Sequence, residues 1–236
     1  MFSNASSFNQ NIGNWNTSAV TDMSNMFYSA SSFNQNIGNW STANVTSLIN
    51  MFASALSFNQ DIGNWNTANV TTISNMFNGA SSFNQDIGNW NTANVSFMSG
   101  TFYGASSFNQ NLGNWVLRAN VTFPNIFNTS GMDCDHYSAT LVGWQANNPT
   151  VIGRSLGAQG RQYGTSALVA RNALINNQGW TITGDGPSGA TCDALLPIEL
   201  VSFSPTANEN VIQLHWQTSS EVNNHYFEIE HSRNGF

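Results

Sequence analysis

No lysine occurs among the 236 residues, five arginines face twelve acids, and only 7% of the chain is charged, against roughly a quarter in an ordinary soluble protein. With a formal net charge of −7, the chain lacks the basic footprint that nucleic acid or anionic lipid requires, and neither is expected as a partner. No apolar run approaches the ~20 residues of a membrane-spanning helix. The first residues show neither the basic nor the apolar region of a secretory leader, so no span and no targeting segment is expected. The histidines stand at positions 136, 215, 225 and 231, outside the repeats described next, and no acid–base pair can be drawn there. What is abundant is different: 40% hydrophobic and 12% aromatic residues supply a core, which argues against disorder despite the wealth of Asn, Ser, Thr and Gly.

The aromatic residues recur with a fixed period. Phe8, Phe33, Phe58, Phe83 and Phe108 are spaced by 25, as are Trp15, Trp40, Trp65, Trp90 and Trp115. Five copies and a partial sixth fill residues 1 to about 130, and Met1-Phe2 occupies the slot of Met26-Phe27 and Met51-Phe52. Met1 therefore reads as an internal repeat residue, and the chain as a fragment. Ile12, Trp15, Thr17 and Val20 follow the spacing of a leucine-rich repeat, with Val in the slot of the usual Asn. A short strand is expected around Trp15-Asn16-Thr17, then Thr21 as an N-cap. Met23, Met26 and Phe27 would form one face of a single helical turn. The expected fold is a β-solenoid, leucine-rich-repeat-like, with a parallel sheet of stacked strands at about 4.8 Å. One copy cannot bury its own Phe, Trp and Met, so stability must come from neighbours and the ends need caps. The column Asn34, Asn59, Asn84, Asn109 is expected to bond from copy to copy.

The run G-A-S-S-F-N-Q-D-I-G-N-W-N-T-A-N-V at 79–95 closely resembles the 25-residue repeat of BspA-like leucine-rich-repeat surface proteins of bacteria. That resemblance implies extracellular or cell-surface display and, in some members, adhesion to host proteins or other cells. Residues 131–193 read as a small α/β module. Asp135 would cap a helix carrying Tyr137, Leu141, Val142 and Trp144, and Thr165 a second with Leu168, Ala170, Leu174 and Ile175, stopped by Gly179. Trp180 to Thr183 alternates like a strand, and Gly184 to Pro187 turns. The pattern is similar to the segment that closes the array in BspA-like proteins. From residue 194, the segments 196–203, 211–216 and 226–231 alternate as antiparallel strands. They resemble the start of a fibronectin-type-III-like domain found in type IX-secreted proteins, here truncated. In such a secreted setting Cys134 and Cys192 read as one disulfide across the module, with two buried thiols as the alternative.

Several residues invite a chemical reading, each with a plainer rival. Gly153-Arg-Ser155-Leu-Gly157 matches the nucleophile elbow G-x-S-x-G, but Gly160 and Gly164 fall where the elbow helix should begin. Asp133, Asp135 and His136 flank Cys134 without any zinc-ligand spacing. Asp61 and Asp86 align with Asn11, Asn36 and Asn111, where stacked aspartates could hold calcium or simply form solvated turns. The tryptophan column would suit sugar binding if exposed, yet it takes a leucine slot of the core. With Trp inward, the outward residues are Asn14, Asn16 and Ser18, with copies Asn39, Ser41, Asn64, Asn66, Asn89 and Asn91. That neutral, amide-rich face is the candidate binding surface. The sequons at Asn44, Asn69 and Asn94 arise from the repeat and are not read as glycosylation sites.

The expected function is a non-catalytic secreted or cell-surface repeat protein that mediates adhesion or protein–protein interaction. The expected partner is an extracellular protein or glycan, with no metal or cofactor. The alternatives are a carbohydrate-binding module of a secreted enzyme and a purely structural spacer. The expected organisation is a solenoid over 1–130, a capping module over 131–193 and a truncated β segment over 194–236.

Overall fold

The computed structural model describes residues 1–189 and 192, and the backbone of 200–208 and 211–218. Residues Met1–Ala194 form one compact unit and Leu195–Phe236 a second. Among the described residues there are few helices, short parallel strands and no closed sheet or barrel.

Consecutive copies lie on one another in parallel register. Single bridges join Asp22 to Ser47, Ser47 to Thr72, Thr72 to Phe97 and Phe97 to Thr122. Around each, the amide of Met23 donates to Ser47 O at 3.0 Å and that of Thr46 to Thr21 O at 2.8 Å, and the pattern repeats down the chain. Inside, Phe27, Phe52, Phe77 and Phe102 stack with centroids 5.6 to 5.8 Å apart, as do Phe33, Phe58, Phe83 and Phe108 at 6.0 Å. Each copy also packs its own pair face to face, as in Phe52–Phe58 at 3.9 Å. These rings are inaccessible to solvent, which contributes about 1.5–3 kcal/mol per side chain relative to exposure.

The local conformation differs from the expected strand and helical turn. No strand forms at residues 15–17; there the Thr17 hydroxyl, not a backbone amide, reaches the next copy, donating to Ser41 O at 3.0 Å. Thr42, Thr67 and Thr92 do the same. The segment Met23–Ala30 is a chain of linked turns rather than a helix. Asn25 and Ser29 sit at φ 57° and 54°, in the left-handed region that breaks an α-helix. The amides of Met26, Tyr28 and Ala30 close turns onto the carbonyls three residues back, while those of Asn25, Phe27 and Ser29 donate to the next copy. Half of the amides therefore hold the copy together and half hold the stack. The overlooked signal is the pair of columns Asn25/Asn50/Asn75/Gly100/Asn125 and Ser29/Ser54/Gly79/Gly104/Thr129, all at positive φ. Asn and Gly are the residues that tolerate it.

Residues 131–189 continue the stack and cover its end. Helix α1 (Cys134–Asn147) is capped by Asp133, whose carboxylate accepts from the His136 amide; the expected cap, Asp135, lies inside the first turn. Strand β1 (Ser155–Gly157) lies on the fifth copy through the Phe123–Leu156 bridge and pairs in parallel with β3 (Thr181–Thr183). Strand β2 (Gln162–Tyr163) pairs with β4 (Gly186–Pro187). Between them the short 3-10 turn Thr165–Ala167 leads into α2 (Leu168–Asn176), which buries Ala170 and Leu174 but leaves Leu168 exposed. Cys134 and Cys192 form a disulfide, with Cα atoms 5.5 Å apart.

In the second unit, β5 (Leu200–Asn208) and β6 (Val211–Thr218) form an antiparallel hairpin that sets Phe203 opposite Trp216. The third expected strand, 226–231, lies outside the described residues.

Candidate interaction face

The outward face grows from one turn per copy. Ile12-Gly13-Asn14-Trp15 closes with the Trp15 amide on Ile12 O at 3.1 Å, and Ile37, Ile62, Ile87 and Leu112 begin the same turn in later copies. Glycine at the second position is a steric demand: a Cβ on Gly63 would stand 2.7 Å from Asp86 O in the next copy, closer than any carbon tolerates. The isoleucine and tryptophan of the turn point inward. Trp40, Trp65 and Trp90 are 3 to 4% exposed, whereas Trp15, on the first copy, is 42% exposed. The indole N–H of Trp40, Trp65, Trp90 and Trp115 donates to the isoleucine carbonyl of the preceding copy at 3.0 to 3.2 Å. Trp144 of α1 makes the equivalent bond to Leu112 O at 2.8 Å, so the cap imitates a sixth copy.

The residues between the inward positions face solvent. Asn14, Asn16, Asn39, Ser41, Asn64, Asn66, Asn89 and Asn91 are all exposed and run as two parallel columns. Asn16, Asn66 and Asn91 use their side-chain oxygen to accept the amide two residues on, at 3.0 to 3.2 Å. The amides of Asn14, Asn39, Asn64 and Asn89 make no hydrogen bond among the described residues. Beside the inward tryptophans, whose rings at Trp65 and Trp90 lie 6.4 Å apart, these columns offer a regular array of neutral donors and acceptors.

Other asparagines are architectural. The side-chain oxygen of Asn9 accepts the Asn34 amide at 2.9 Å and the Gln35 side chain at 3.0 Å. The same pair of hydrogen bonds recurs at Asn34, Asn59 and Asn84. Asn109 ends the ladder on the Asp133 amide at 2.9 Å. The ladder therefore runs from each asparagine side chain to the backbone and the glutamine side chain of the next copy. Asn44, Asn69 and Asn94 donate to carbonyls of the preceding copy at 2.7 to 2.8 Å, so the nitrogen a glycan would need is engaged.

The other candidate residues fall in structural roles. Ser155 is exposed in β1, opposite Thr181. Asp61 and Asp86 accept the Gly63 and Gly88 amides at 2.9 and 2.8 Å, as Asn11 and Asn36 do for Gly13 and Gly38. Asp133 meets His136 Nδ1 at 2.8 Å. Burial raises the Asp133 carboxyl, but the His136 amide and the side chains of Asn109 and His136 outweigh it and hold the group below its ordinary range. Among the described residues no group of three His, Cys, Asp or Glu could hold a metal ion, and no helix is long and apolar enough to cross a membrane.

One charged cluster has no local trace in the sequence. Asp185, with its side chain 1% exposed, accepts two bonds from Arg171 at 2.7 Å and one from the Tyr137 hydroxyl at 3.0 Å. The Arg171 guanidinium lies 4.7 Å from the Tyr163 ring centre. Burial, then the adjacent Asp185 charge, pushes the Tyr137 hydroxyl well up. The hydrogen bonding to Asp185, stronger than the opposing burial, raises Arg171. The cluster clamps α1, α2 and the β3–β4 connection together.

Tandem copies, each completing the core of its neighbour, define this as a repeat protein. The chain belongs to the family described as Mycoplasma protein of unknown function, DUF285, whose sequence model matches residues 1–63 and again 37–139. None of the curated proteins matches the chain, and neither does any solved structure.

Proposed function

We propose that the chain is a non-catalytic, secreted or cell-surface repeat protein, a leucine-rich-repeat-like solenoid of BspA-like character. Its asparagine columns recognise an extracellular protein or glycan. The observation that carries this reading is the set of unengaged amides at Asn14, Asn39, Asn64 and Asn89, exposed in register along one face. Many weak, evenly spaced hydrogen bonds suit a repetitive or extended ligand, and little conformational entropy is lost because the turns are already held by the stack. The buried, hydrogen-bonded indoles argue against a sugar platform made of tryptophan faces. The structural employment of Asp133, His136, Asp185 and Arg171 supports the non-catalytic reading. The type IX secretion and fibronectin-type-III-like features of the tail belong to the same proposal and rest on the residues quoted for them.

The test is binding of the chain to immobilised extracellular-matrix proteins and a glycan array, repeated with an N39A/N64A/N89A variant whose tryptophan emission reports intact packing. At about 1 kcal/mol per lost hydrogen bond, the three substitutions together should weaken capture by roughly a hundredfold. Equal capture by the variant and the parent chain would remove the asparagine columns from recognition.

A further inference from the structure

Three exposed side chains near the end of the array depart from the repeat without adding to its core. Phe97 stands in the column of Asp22, Ser47 and Thr72 and is 54% exposed. Val116 takes the column of Asn16, Ser41, Asn66 and Asn91 and is 51% exposed. Arg118, exposed, is the extra residue of the fifth copy, standing ahead of Ala119-Asn120-Val121, which repeat Ala93-Asn94-Val95. In every other copy a small or polar residue fills the positions of Phe97 and Val116, and Arg118 has no counterpart, so packing does not require these three.

The next layer adds to the same spot. Phe97 pairs with Thr122 and Phe123 with Leu156, which sets Ser155 beside Thr122 and Arg154 beside Val121. Arg118 Nη1 donates to Ser96 Oγ at 3.1 Å, and Arg154 Nη1 donates to Val121 O at 3.2 Å. The Thr122 amide bonds Ser96 O at 2.9 Å, so the two guanidiniums lean on adjacent layers, about 5 Å apart along the stack. Neither meets a carboxylate: the ion pairs among the described residues are His136–Asp133 and Arg171–Asp185. Asp22, the acid in Phe97's own column, lies three layers away, roughly 14 Å and beyond the screening length of about 8 Å in physiological salt. Beside Arg154 lies a depression of about 300 Å³, walled by Val121, Phe123, Pro124 and Ser155.

We propose that this patch docks an acidic, apolar peptide segment of a partner protein, with a carboxylate forked between Arg118 and Arg154 and an apolar side chain in the depression beside Phe97. Charge complementarity selects the occupant. Two arginines without carboxylate partners stand on a chain of net charge −7, and the planar guanidinium matches a carboxylate in bidentate geometry. The apolar walls favour a peptide over a sugar, since the Thr122 hydroxyl is already bonded to Ser96 O at 3.3 Å. The inference rests on the reading of the chain as a binding protein, but uses residues separate from the asparagine columns.

The test is fluorescence anisotropy of the chain with a labelled peptide alternating aspartate and leucine, against its asparagine–leucine counterpart and dextran sulfate. The variants are R118A, which shortens an exposed side chain, F97T, which restores Thr72, and R154Q. Because Phe97 and Arg118 are exposed and F97T returns to the repeat pattern, the fold should persist, and tryptophan emission checks that it does. The expected result is acid-selective binding that R118A/R154Q weakens at least about tenfold and raised salt weakens further, while N39A/N64A/N89A leaves it unchanged. Equal binding of both peptides, insensitivity to R118A/R154Q, or preference for dextran sulfate would overturn the proposal. A failure confined to the N39A/N64A/N89A experiment would instead strike the asparagine face alone.

Discussion

The Asp185 side chain is 1% exposed and held by Arg171 twice and Tyr137 once, so its removal leaves the guanidinium and the tyrosine hydroxyl without their shared acceptor. Breaking one side of a buried ion pair costs about 3–5 kcal/mol, and D185A should lower the urea-unfolding free energy by that order. A loss near zero would mean that water reaches Arg171. Tyr137 provides an independent check. Its folded ionisation lies well above the ordinary tyrosine range, so its contribution is complete below about pH 10, the unfolded value, and disappears as pH rises through the folded one. In an alkaline titration followed at 295 nm, one tyrosine should ionise only as the chain unfolds, and Y137F should abolish that late step. None of this cluster was legible in the sequence, because Tyr137, Arg171 and Asp185 share no local pattern; only packing brings them together. The outward Asn14 and Asn16 columns were legible, since the inward partner Trp15 has its own fixed period.

Among the elements, α1 carries the most consequence, since Trp144 and Asp133 continue two ladders that begin in the repeats. Asn148, just beyond its end and 3% exposed, accepts the Leu117 amide at 2.6 Å and donates to Trp115 O at 3.1 Å. D133A removes an N-cap and should cost about 1 kcal/mol, whereas D135A should change stability by only a few tenths; comparing their urea midpoints separates the two acids. The lowered Asp133 carboxyl gives this contribution a pH window. It is present above the unfolded value near pH 4 and is lost as pH falls through the folded one, so the D133A difference should shrink in acid. The disulfide closes a separation of 58 residues, for which chain entropy predicts a gain of about 4 kcal/mol. C134S/C192S should lose stability of that order, and an unchanged melting curve with and without reductant would refute it. The helices were readable from apolar spacing, but their expected caps were not the ones used: Asp133 rather than Asp135 caps α1, and Thr165 lies in the 3-10 turn ahead of α2, whose start has no side-chain cap. The turns at Met23–Ala30 were misread because Met23, Met26 and Phe27 have helical spacing, while Asn25 and Ser29 quietly impose a left-handed backbone.

At the scale of the molecule, hydrogen bonds and ring stacks run from each copy to the next, so stability should behave as a sum of copies and interfaces. Deleting residues 51–75 joins Asn50 to Met76 in register, and the shortened chain should fold with its fluorescence maximum unchanged and a lower melting temperature. Deleting residues 131–194 should do the opposite, since it uncovers Phe123 and Phe127, which pack on Tyr137, Trp144 and Trp180, and would show as concentration-dependent aggregation by light scattering. Soluble, cooperative folding without that segment would count against its role as a cover.

By itself the sequence determined the period of 25, the inward aromatic columns and the outward asparagine columns, because side-chain chemistry repeating at a fixed interval leaves the chain few ways to bury Phe and Trp. Only the tertiary structure decided how copies are joined. Which amides close turns and which reach the neighbour depends on the left-handed residues Asn25 and Ser29, and the hydroxyl of Thr17 replaces a strand that pattern alone suggested. It also decided the continuation of the stack through Leu156 and Ile182 and the convergence of Phe97, Arg118 and Arg154, since those contacts join residues whose separations carry no period.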